Sequence, residues 1–351
     1  MNKIFNCGIS EFMRKTMGKR VVCFGAGKRL DHFMFLLPEI EIVGVIDNYK
    51  YGLKKNESIP IISLGEFLEK YTDDDVMVIT SSYYEEIVKQ LENCSELENM
   101  DCYFDIYLEN YSETFNIKLK SDSEEKHIPK KIHYCWFGKN TIPDEYQYYI
   151  SSWKKFCPDY EIIQWDESNY DVKKNTYIEQ AYSCKKWAFV SDYARVDILN
   201  SLGGIYFDTD VELLKNVDDL LKWDFWCGFE SRRYVAFGLG FGSVSNSEIL
   251  KDIKREYENM CFINENGEWN LTTCPIIQSR VLEKYGFIMD GTPQKINNCV
   301  VYPKEFFCPI GAHKGLGNIT ENSISIHHFS ASWVENKKLM GDRFVRLGGS
   351  K

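Results

Sequence analysis

Apolar runs of strand length alternate with helix-like segments over the first hundred residues. Residues 20–24 (RVVCF), 42–47 (IVGVID) and 75–80 (DVMVIT) are rich in β-branched side chains, and residues 28–37 have the apolar content of a packed helix. Because strands that alternate with helices usually pair in parallel, this order predicts an open sheet with helices on its faces. We therefore predict that residues 1–109 form a small doubly wound α/β domain.

The same alternation resumes after a polar segment without clear periodicity, residues 110–127, which we interpret as a linker. The second predicted domain, residues 128–334, opens with the strand-like run KIHYCWFG at 131–138. A helix is predicted over residues 188–202, where a Gly-Gly pair stops it and leads directly into the strand IYF. This pattern predicts a second open α/β sheet.

Composition and charge narrow the classes of partner. The 351 residues suffice for two cores, and a net charge of −10 has the wrong sign for binding a nucleic-acid backbone. The twelve cysteines include no C-x-x-C pair, so we interpret them as reduced core residues.

No apolar run reaches the roughly 18 residues of a membrane span, and the charged N-terminus lacks the apolar core of a signal peptide. We expect a cytoplasmic protein, whose basic tail, residues 335–351, is a candidate for peripheral contact with the inner face of the plasma membrane.

A pair of acidic residues, Asp208 and Asp210, follows the predicted strand IYF. Strand alternation would turn both carboxylates to one side at the carboxyl end of the strand, where open α/β sheets bind their ligands. Two carboxylates aimed at one point repel each other unless a cation lies between them, and Mn²⁺ or Mg²⁺ suits such oxygen ligands. The run Asp73-Asp74-Asp75 has the same spacing, so a solvated turn is the alternative interpretation of the doublet.

The helix before this strand places Asp192 and Arg195 three residues apart, on one face. An Arg at a cleft can hold phosphate or sugar oxygens in a fork, and an Asp can accept hydrogen bonds from sugar hydroxyls. A surface ion pair of little energetic value is the alternative.

Three stretches together resemble a known family: WAFVSDYARVDILNSLGGIYFDTDVELLKNVDDLL at 187–221, KKIHYCWFG at 130–138 and HHFSASW at 327–333. They are similar to the retaining glycosyltransferases whose sugar-binding region contains a DXD motif. That family includes bacterial capsular-polysaccharide transferases and fungal mannosyltransferases, and it is similar to the glucosyltransferase domain of large bacterial toxins. The resemblance covers residues 128–333.

The resemblance implies a GT-A fold, with roles for the residues already singled out. Asp208 and Asp210 would bind the metal that bridges the donor's diphosphate, and Asp192 and Arg195 would hold the donor sugar. Trp136 would stack on the nucleotide base, a role suited to an indole, although a core Trp is the alternative.

Residues near the C-terminus would complete the site. By the same resemblance, Ser332 and Trp333 would close over the diphosphate, with Trp333 contacting the leaving oxygen. His327 and His328 are consecutive in a predicted strand and point to opposite faces, so both are metal candidates but at most one readily reaches the ion.

One departure from the family pattern affects the acceptor side. The chain has Thr273-Cys274-Pro275 where the family has Thr-Gly-Pro.

The first domain carries part of a dinucleotide-binding fingerprint. Gly25-x-Gly27 follows a strand and Asp47 lies 20 residues beyond Gly27, but Leu30 replaces the third glycine. The segment resembles the small Rossmann-like domains attached to various bacterial sugar-modifying enzymes. Nucleotide binding and a purely structural or docking role both remain open for it.

These observations favour a metal-dependent retaining glycosyltransferase that moves a hexose from a nucleotide sugar, a UDP-sugar, to a glycan or lipid-linked saccharide in surface polysaccharide synthesis. Two alternatives belong to other classes. An NAD(P)-dependent sugar oxidoreductase would use the first domain, and a non-catalytic scaffold would bind the sugar nucleotide without turnover.

Overall fold

The computed structural model describes residues 3–5, 7–53, 59–110, 114–115, 119–310 and 317–330. The chain forms two compact units, and the second begins at Thr114. The predicted basic tail, 335–351, lies outside the described residues. No helix in the described part of the chain is both long and apolar enough to cross a membrane.

The first unit is a mostly parallel sheet flanked by helices, as its alternating pattern predicts. Its described strands run in the order β1-β7-β6-β2-β3-β5-β4, and only the β4–β5 pair is antiparallel. The strands are β1 (Lys3–Phe5), β2 (Arg20–Phe24), β3 (Ile42–Ile46), β4 (Gly52–Leu53), β5 (Pro60–Ile62), β6 (Asp75–Ile79) and β7 (Asp101–Phe104). The helices are α1 (Ile9–Thr16), α2 (Lys28–Leu36), α3 (Leu64–Leu68), α4 (Tyr84–Glu92) and α5 (Asp105–Asn110).

Both faces of this sheet are buried, which explains its continuous apolar runs. Successive residues of β2 enter different apolar clusters: Val21 and Cys23 belong to one cluster, and Val22 and Phe24 to the other. From β2 the chain continues to β3 on one side and later returns to β6 on the other.

The second unit contains a mixed sheet in the order β15-β16-β12-β14-β10-β8-β9, with β13 paired to β12 and a separate antiparallel pair, β11–β17. The strands are β8 (Lys131–Cys135), β9 (Glu161–Trp165), β10 (Gly204–Tyr206), β11 (Val211–Leu213), β12 (Phe225–Ser231), β13 (Tyr234–Val235), β14 (Phe241–Ser243), β15 (Gln294–Ile296), β16 (Cys299–Tyr302) and β17 (Ser325–His327). The helices are α6 (Asp144–Phe156), α7 (Thr176–Ser183), α8 (Trp187–Leu202), α9 (Glu248–Glu258), α10 (Cys274–Lys284) and α11 (Lys304–Phe307).

Strands β9, β8 and β10 are parallel neighbours, so their carboxyl ends meet at one edge of the sheet. Part of the segment predicted as a linker packs on this unit: the Ser121 hydroxyl donates to the Lys222 carbonyl over 2.8 Å, and the His127 amide donates to the Leu221 carbonyl over 2.7 Å. Residues 121 and 127 of the predicted linker are thus hydrogen-bonded to the second unit.

The Gly-Gly pair that ends α8 brings β10 close to β8. Gly203 and Gly204 have positive φ angles of 65° and 114°, and a Cβ on Gly204 would lie 2.8 Å from Nε2 of His133. His133 is fully buried, and its Nδ1 accepts the Trp165 indole N–H over 3.0 Å. The ring proton is therefore on Nε2, which donates to the Gly203 carbonyl over 3.1 Å. Burial outweighs this last bond and lowers the pKa of His133 to about 4.

The depressed pKa of His133 makes the stability of the second unit depend on pH. His133 takes up a proton near pH 6.5 in the unfolded chain and near pH 4 in the folded chain. Its contribution to the unfolding free energy is therefore complete above about pH 6.5 and is lost as the pH falls toward 4. Over this window the parent should lose about 1 kcal/mol of unfolding free energy per pH unit more than His133→Gln, which does not titrate. Tryptophan fluorescence during urea unfolding measures this unit alone, because all eight Trp residues lie beyond residue 135. Parallel losses in both proteins would contradict the assignment.

Candidate functional site

The acidic doublet lies in a turn rather than in the strand. Strand β10 ends at Tyr206, and Asp208 and Asp210 follow it in the connection to β11. The Val211 amide donates to the Asp208 carbonyl over 3.1 Å, which closes the turn, and the His328 amide donates to the Asp210 carbonyl over 2.9 Å. We expected strand alternation to bring both carboxylates to one site, but the turn does so instead.

His327 joins the doublet through the two-stranded sheet. In the antiparallel β11–β17 pair, His327 lies opposite Val211. Its Nε2 is 3.2 Å from Asp210 Oδ1, and one ligand atom each from Asp208, Asp210 and His327 lie within 4.8 Å of one another. Carboxylate oxygens with an imidazole nitrogen form a donor set that suits a divalent cation such as Mn²⁺, so the residues fit the ion that the sequence implies.

His328 points elsewhere. Its Nε2 pairs with Glu212 Oε2 at 2.9 Å, and its ring stacks on Tyr149 of α6 with the centroids 4.1 Å apart. Of the two candidate histidines, the structure brings only His327 to the carboxylates and gives His328 a packing role beside them.

The pKa values of the two carboxylates in the doublet shift in opposite directions. Burial by itself raises the pKa of Asp210, but the charge and hydrogen bond of His327, with the Ser330 amide, lower that pKa to about 2. Burial raises the pKa of Asp208, and the neighbouring Asp210 carboxylate adds to this effect against the opposing charge of Arg195. Burial also disfavours a charged His327, yet Asp210 raises its pKa. The cluster therefore attracts positive charge, either as a proton on His327 or as a cation.

Arg195 connects this cluster to Asp192. The two residues lie on one face of α8, and Arg195 Nη2 is 3.0 Å from Asp192 Oδ1 and 3.3 Å from Asp208 Oδ1. The Arg195 side chain is only 4% exposed, so the pair is not the surface ion pair considered as an alternative. Burial raises the pKa of Asp192, although Arg195 opposes the shift.

Two residues that sequence analysis did not single out hold Asp208 in place. The Tyr206 hydroxyl donates to Asp208 Oδ1 over 2.9 Å, and the Arg195 guanidinium lies 5.0 Å from the Tyr206 ring centroid. The Asp208 amide donates to the Gly238 carbonyl over 3.2 Å, and a Cβ on Gly238 would lie 2.4 Å from Asp208 Oδ2. Tyr206 is part of the recognised motif, whereas nothing in the sequence linked Gly238 to the doublet.

Trp136 follows β8 at the same sheet edge. Its indole N–H donates to the Asn140 carbonyl over 2.7 Å, and its ring meets Tyr146 edge-on with centroids 5.6 Å apart. Trp136 is partly exposed and lines a cavity of about 470 Å³ between the strand ends and α6. The other polar side chains around this cavity include Asn140, Gln147, Ser151, Lys154 and Gln164.

The segment after β17 passes over the doublet. The Ser330 amide donates to Asp210 Oδ2 over 2.9 Å, a contact that sequence analysis missed. The predicted diphosphate contacts Ser332 and Trp333 lie outside the described residues.

The glycine loop of the first unit is held by its own aspartate. Asp47 accepts hydrogen bonds from the amides of Ala26 over 2.8 Å, Tyr49 over 2.9 Å and Lys50 over 3.0 Å. Gly25 has a φ of 118°, and a Cβ there would lie 2.6 Å from the Thr80 carbonyl oxygen. Both oxygens of Asp47 thus serve the local fold at the position where a dinucleotide fingerprint uses an acid to bind ribose.

Two family models match the chain. Residues 143–226 match the glycosyltransferase sugar-binding region containing DXD motif, and this segment includes Asp192, Arg195, Asp208 and Asp210. Residues 17–100 match a model described as C2185-like, N-terminal.

Two curated relatives carry related names. Uncharacterized glycosyltransferase L373 of Acanthamoeba polyphaga mimivirus is 33% identical over 154 residues, which are 41% of this chain and 60% of that protein. Inositol phosphoceramide mannosyltransferase 3 of Schizosaccharomyces pombe is 34% identical over 107 residues, 28% of this chain and 29% of that protein. The chain thus spans less than two thirds of the length of either relative.

A solved structure, the PaToxG glycosyltransferase, aligns with 45% of this chain and 69% of its own at 20% identity and a TM-score of 0.38. The family and curated matches support the prediction of a glycosyltransferase with a DXD-containing sugar-binding region.

The positions of the two histidines generate a test of the metal cluster. His327→Gln should weaken Mn²⁺ binding at least tenfold, about 1.4 kcal/mol, because it removes a ligand atom from the cluster. His328→Gln should change the affinity less than twofold, because that side chain faces Glu212. Electron paramagnetic resonance of free Mn²⁺ measures both without any nucleotide. An equal loss in the two variants would disprove the placement.

Proposed function

We propose that the chain is a metal-dependent, retaining glycosyltransferase that moves a hexose from a UDP-sugar to a glycan or lipid-linked saccharide in surface polysaccharide synthesis. In this proposal the second unit is a GT-A domain. The observation that carries the proposal is the convergence of Asp208, Asp210 and His327 with the Arg195–Asp192 pair.

Asp208, Asp210 and His327 would hold Mn²⁺ or Mg²⁺. When bound, the cation neutralises the charge that develops on the diphosphate leaving group. Arg195 adds a fixed positive charge beside Asp208. Because Asp192 and Asp208 already orient its guanidinium, little reorganisation is needed as the sugar–phosphate bond breaks.

Asp192 would accept hydrogen bonds from hydroxyls of the donor sugar. Arg195 engages Oδ1 of this carboxylate, so lone pairs remain for a ligand at fixed positions. The cavity beside Trp136 has room for the nucleotide base, which the indole would stack upon. Ser332 and Trp333 would close over the diphosphate, as the family resemblance implies.

The stereochemical proposal rests on how the carboxylates at the site are used. Asp192 and Asp208 pair with Arg195, and Asp210 pairs with His327 and the Ser330 amide. A double displacement would need a carboxylate free to attack the sugar, and these three already have partners. We therefore propose front-face substitution, in which the departing phosphate takes the proton from the acceptor hydroxyl and the anomeric configuration is retained.

The acceptor is proposed by chemical class. One relative is named an inositol phosphoceramide mannosyltransferase, a name that indicates a lipid acceptor and supports a lipid-linked acceptor here. Peripheral membrane contact through the basic residues 335–351 would bring the site to such a lipid.

Donor hydrolysis tests the proposed activity. Purified protein with Mn²⁺ should release nucleotide from at least one member of a panel of UDP- and GDP-hexoses, and chelation should stop the release until Mn²⁺ is restored. Asp210→Ala should slow the release at least about 100-fold, equivalent to about 2.7 kcal/mol of transition-state stabilisation. Coupled detection of released nucleotide measures both.

The chain contains a control of the same spacing. Asp73→Ala alters the other D-x-D doublet, where Asp73 is exposed in the first unit, and should hydrolyse the donor at the parental rate. If Asp210→Ala keeps the parental rate as well, the metal assignment is wrong.

Product stereochemistry tests the proposed mechanism. With an α-linked donor, the first product released should be the α-anomer, because front-face substitution keeps the bond on one face of the ring. Proton NMR at early times, before mutarotation, distinguishes the anomers. A β-anomer as first product would refute retention while leaving the donor assignment intact.

A further inference from the structure

The hairpin of strands β12 and β13 projects beyond the sheet edge at which the acidic doublet lies. Strand β14 is antiparallel to both β10 and β12, and Ile205 and Trp226 both lie opposite its Gly242, so the outer strands run in the same direction from a common level. Strand β10 ends one residue beyond this level, whereas β12 continues for five residues to Ser231. The hairpin therefore extends about 13 Å further than β10, at roughly 3.3 Å per residue.

Two arginines form the turn of this hairpin. Ser231 pairs with Tyr234, so Arg232 and Arg233 are the two residues of the connecting loop. Such loops favour Asn-Gly because their preferred turn types need positive φ angles, and neither arginine has one. The strand pairing shifts register between Phe229 and Ser231, as a turn that does not match the strand twist requires. A departure of this kind from local turn chemistry is expected where a site needs the side chains.

Arg232 is oriented by the turn that precedes β15. Its Nε donates to the Asp290 carbonyl over 3.3 Å, and a Cβ on Gly291 would lie 3.2 Å from the Arg232 Cα. The Asp290 carboxylate serves the turn itself, because Oδ1 accepts the Thr292 amide over 2.9 Å and the Thr292 hydroxyl over 2.7 Å. Arg232 and Arg233 are both partly buried. The hairpin thus holds two guanidinium groups in a packed wall at the edge of the sheet.

The arginine hairpin and the cavity beside Trp136 lie on opposite sides of the doublet. Strand β8, which ends just before Trp136, is next to β10 on one side, and β14 and then β12 follow on the other. From Arg233 the chain reaches Gly238 in five residues, a span of at most about 18 Å. The Gly238 carbonyl accepts the Asp208 amide over 3.2 Å. With the nucleotide base in the cavity, the side that carries the arginines is left for the acceptor.

We propose that Arg232 and Arg233 bind a phosphate group of the acceptor, so that the site selects a phosphate-bearing saccharide, either a soluble sugar phosphate or the headgroup of a lipid-linked one. A planar guanidinium matches two phosphate oxygens with parallel N–H donors, and two neighbouring guanidinium groups suit a dianion. The span of at most about 18 Å to the doublet accommodates the saccharide between this phosphate and the hydroxyl that attacks the donor. The inference deepens the proposed function and rests on it for calling the bound molecule an acceptor.

Two soluble probes test the preference for phosphate. With UDP and Mg²⁺ saturating, the parent should bind glucose 1-phosphate at least about tenfold more tightly than methyl α-glucoside in isothermal titration calorimetry. The double variant Arg232→Gln, Arg233→Gln keeps polar side chains but loses both charges, so the preference should fall below about threefold. Lysine at both positions keeps the charge without the planar fork and should give an intermediate preference. The Kd of UDP with Mg²⁺ should change less than twofold in each variant.

A matched control removes the same charge elsewhere in the second unit. Arg255 Nη1 lies 2.8 Å from Asp252 Oδ1, and Arg280 Nη2 lies 2.6 Å from Glu256 Oε2, so both arginines pair with acids of α9. The double variant Arg255→Gln, Arg280→Gln should keep the parental preference. A loss as large as that of the hairpin variant would assign the effect to net charge and overturn the proposal.

Vesicles distinguish the two sources of the phosphate. If a lipid headgroup occupies the hairpin, the parent should cosediment with vesicles of phosphatidylcholine and phosphatidylinositol at least about fivefold more than Arg232→Gln, Arg233→Gln, with no such difference on phosphatidylcholine alone. If the source is soluble, the two proteins should cosediment equally while the preference for glucose 1-phosphate remains. An absence of dependence on the two arginines in both arms would overturn the proposal.

Donor hydrolysis separates this inference from the proposed function. A parent that prefers glucose 1-phosphate through the two arginines but hydrolyses no nucleotide sugar would defeat the proposed function alone. Hydrolysis without any arginine-dependent preference for phosphate would overturn this inference alone. A hairpin variant that loses affinity for UDP as much as for glucose 1-phosphate would place the arginines on the donor side and also overturn it.

Discussion

The candidate site depends on one buried cation, the guanidinium of Arg195 between Asp192 and Asp208. Burying ions costs several kcal/mol each unless geometry and further hydrogen bonds compensate. Here the Ser191 carbonyl accepts from Nε over 3.2 Å and the Tyr206 ring lies beneath the guanidinium. Without this cation two carboxylates would share a poorly solvated space. The helix α8, the glycine pair that ends it and the strand β10 are therefore best understood as the means of bringing these three charges together.

Local pattern was sufficient to predict the elements that deliver those charges. The helix predicted over 188–202 is observed from Trp187 to Leu202, and the strands predicted around residues 20–24, 42–47 and 75–80 are all present. These segments succeed because an apolar period and a glycine stop are encoded within the segment itself. The two carboxylates of the acidic doublet lie together, but a turn and not the expected strand alternation places their side chains.

Other parts of the site depend on long-range pairing, which a single sequence does not encode locally. Alternation showed that His327 and His328 face opposite sides, but only the register of β17 against β11 decides which one meets the doublet. The close approach of Gly238 to Asp208 depends on the path between β13 and β14. Likewise, Asp47 satisfied a spacing rule, yet the structure uses its oxygens to hold its own loop.

The β11–β17 pair joins residues 211–213 to residues 325–327 with only three paired positions. Val211 and Leu213 of this ladder are buried in the core, whereas His327 at its end is partly exposed. Since His327 lies in that ladder, any ion that requires the imidazole binds the closed ladder and not the open one. By linkage, binding of such an ion would stabilise the pairing of β17 with β11, and that pairing would in turn raise the affinity for the ion.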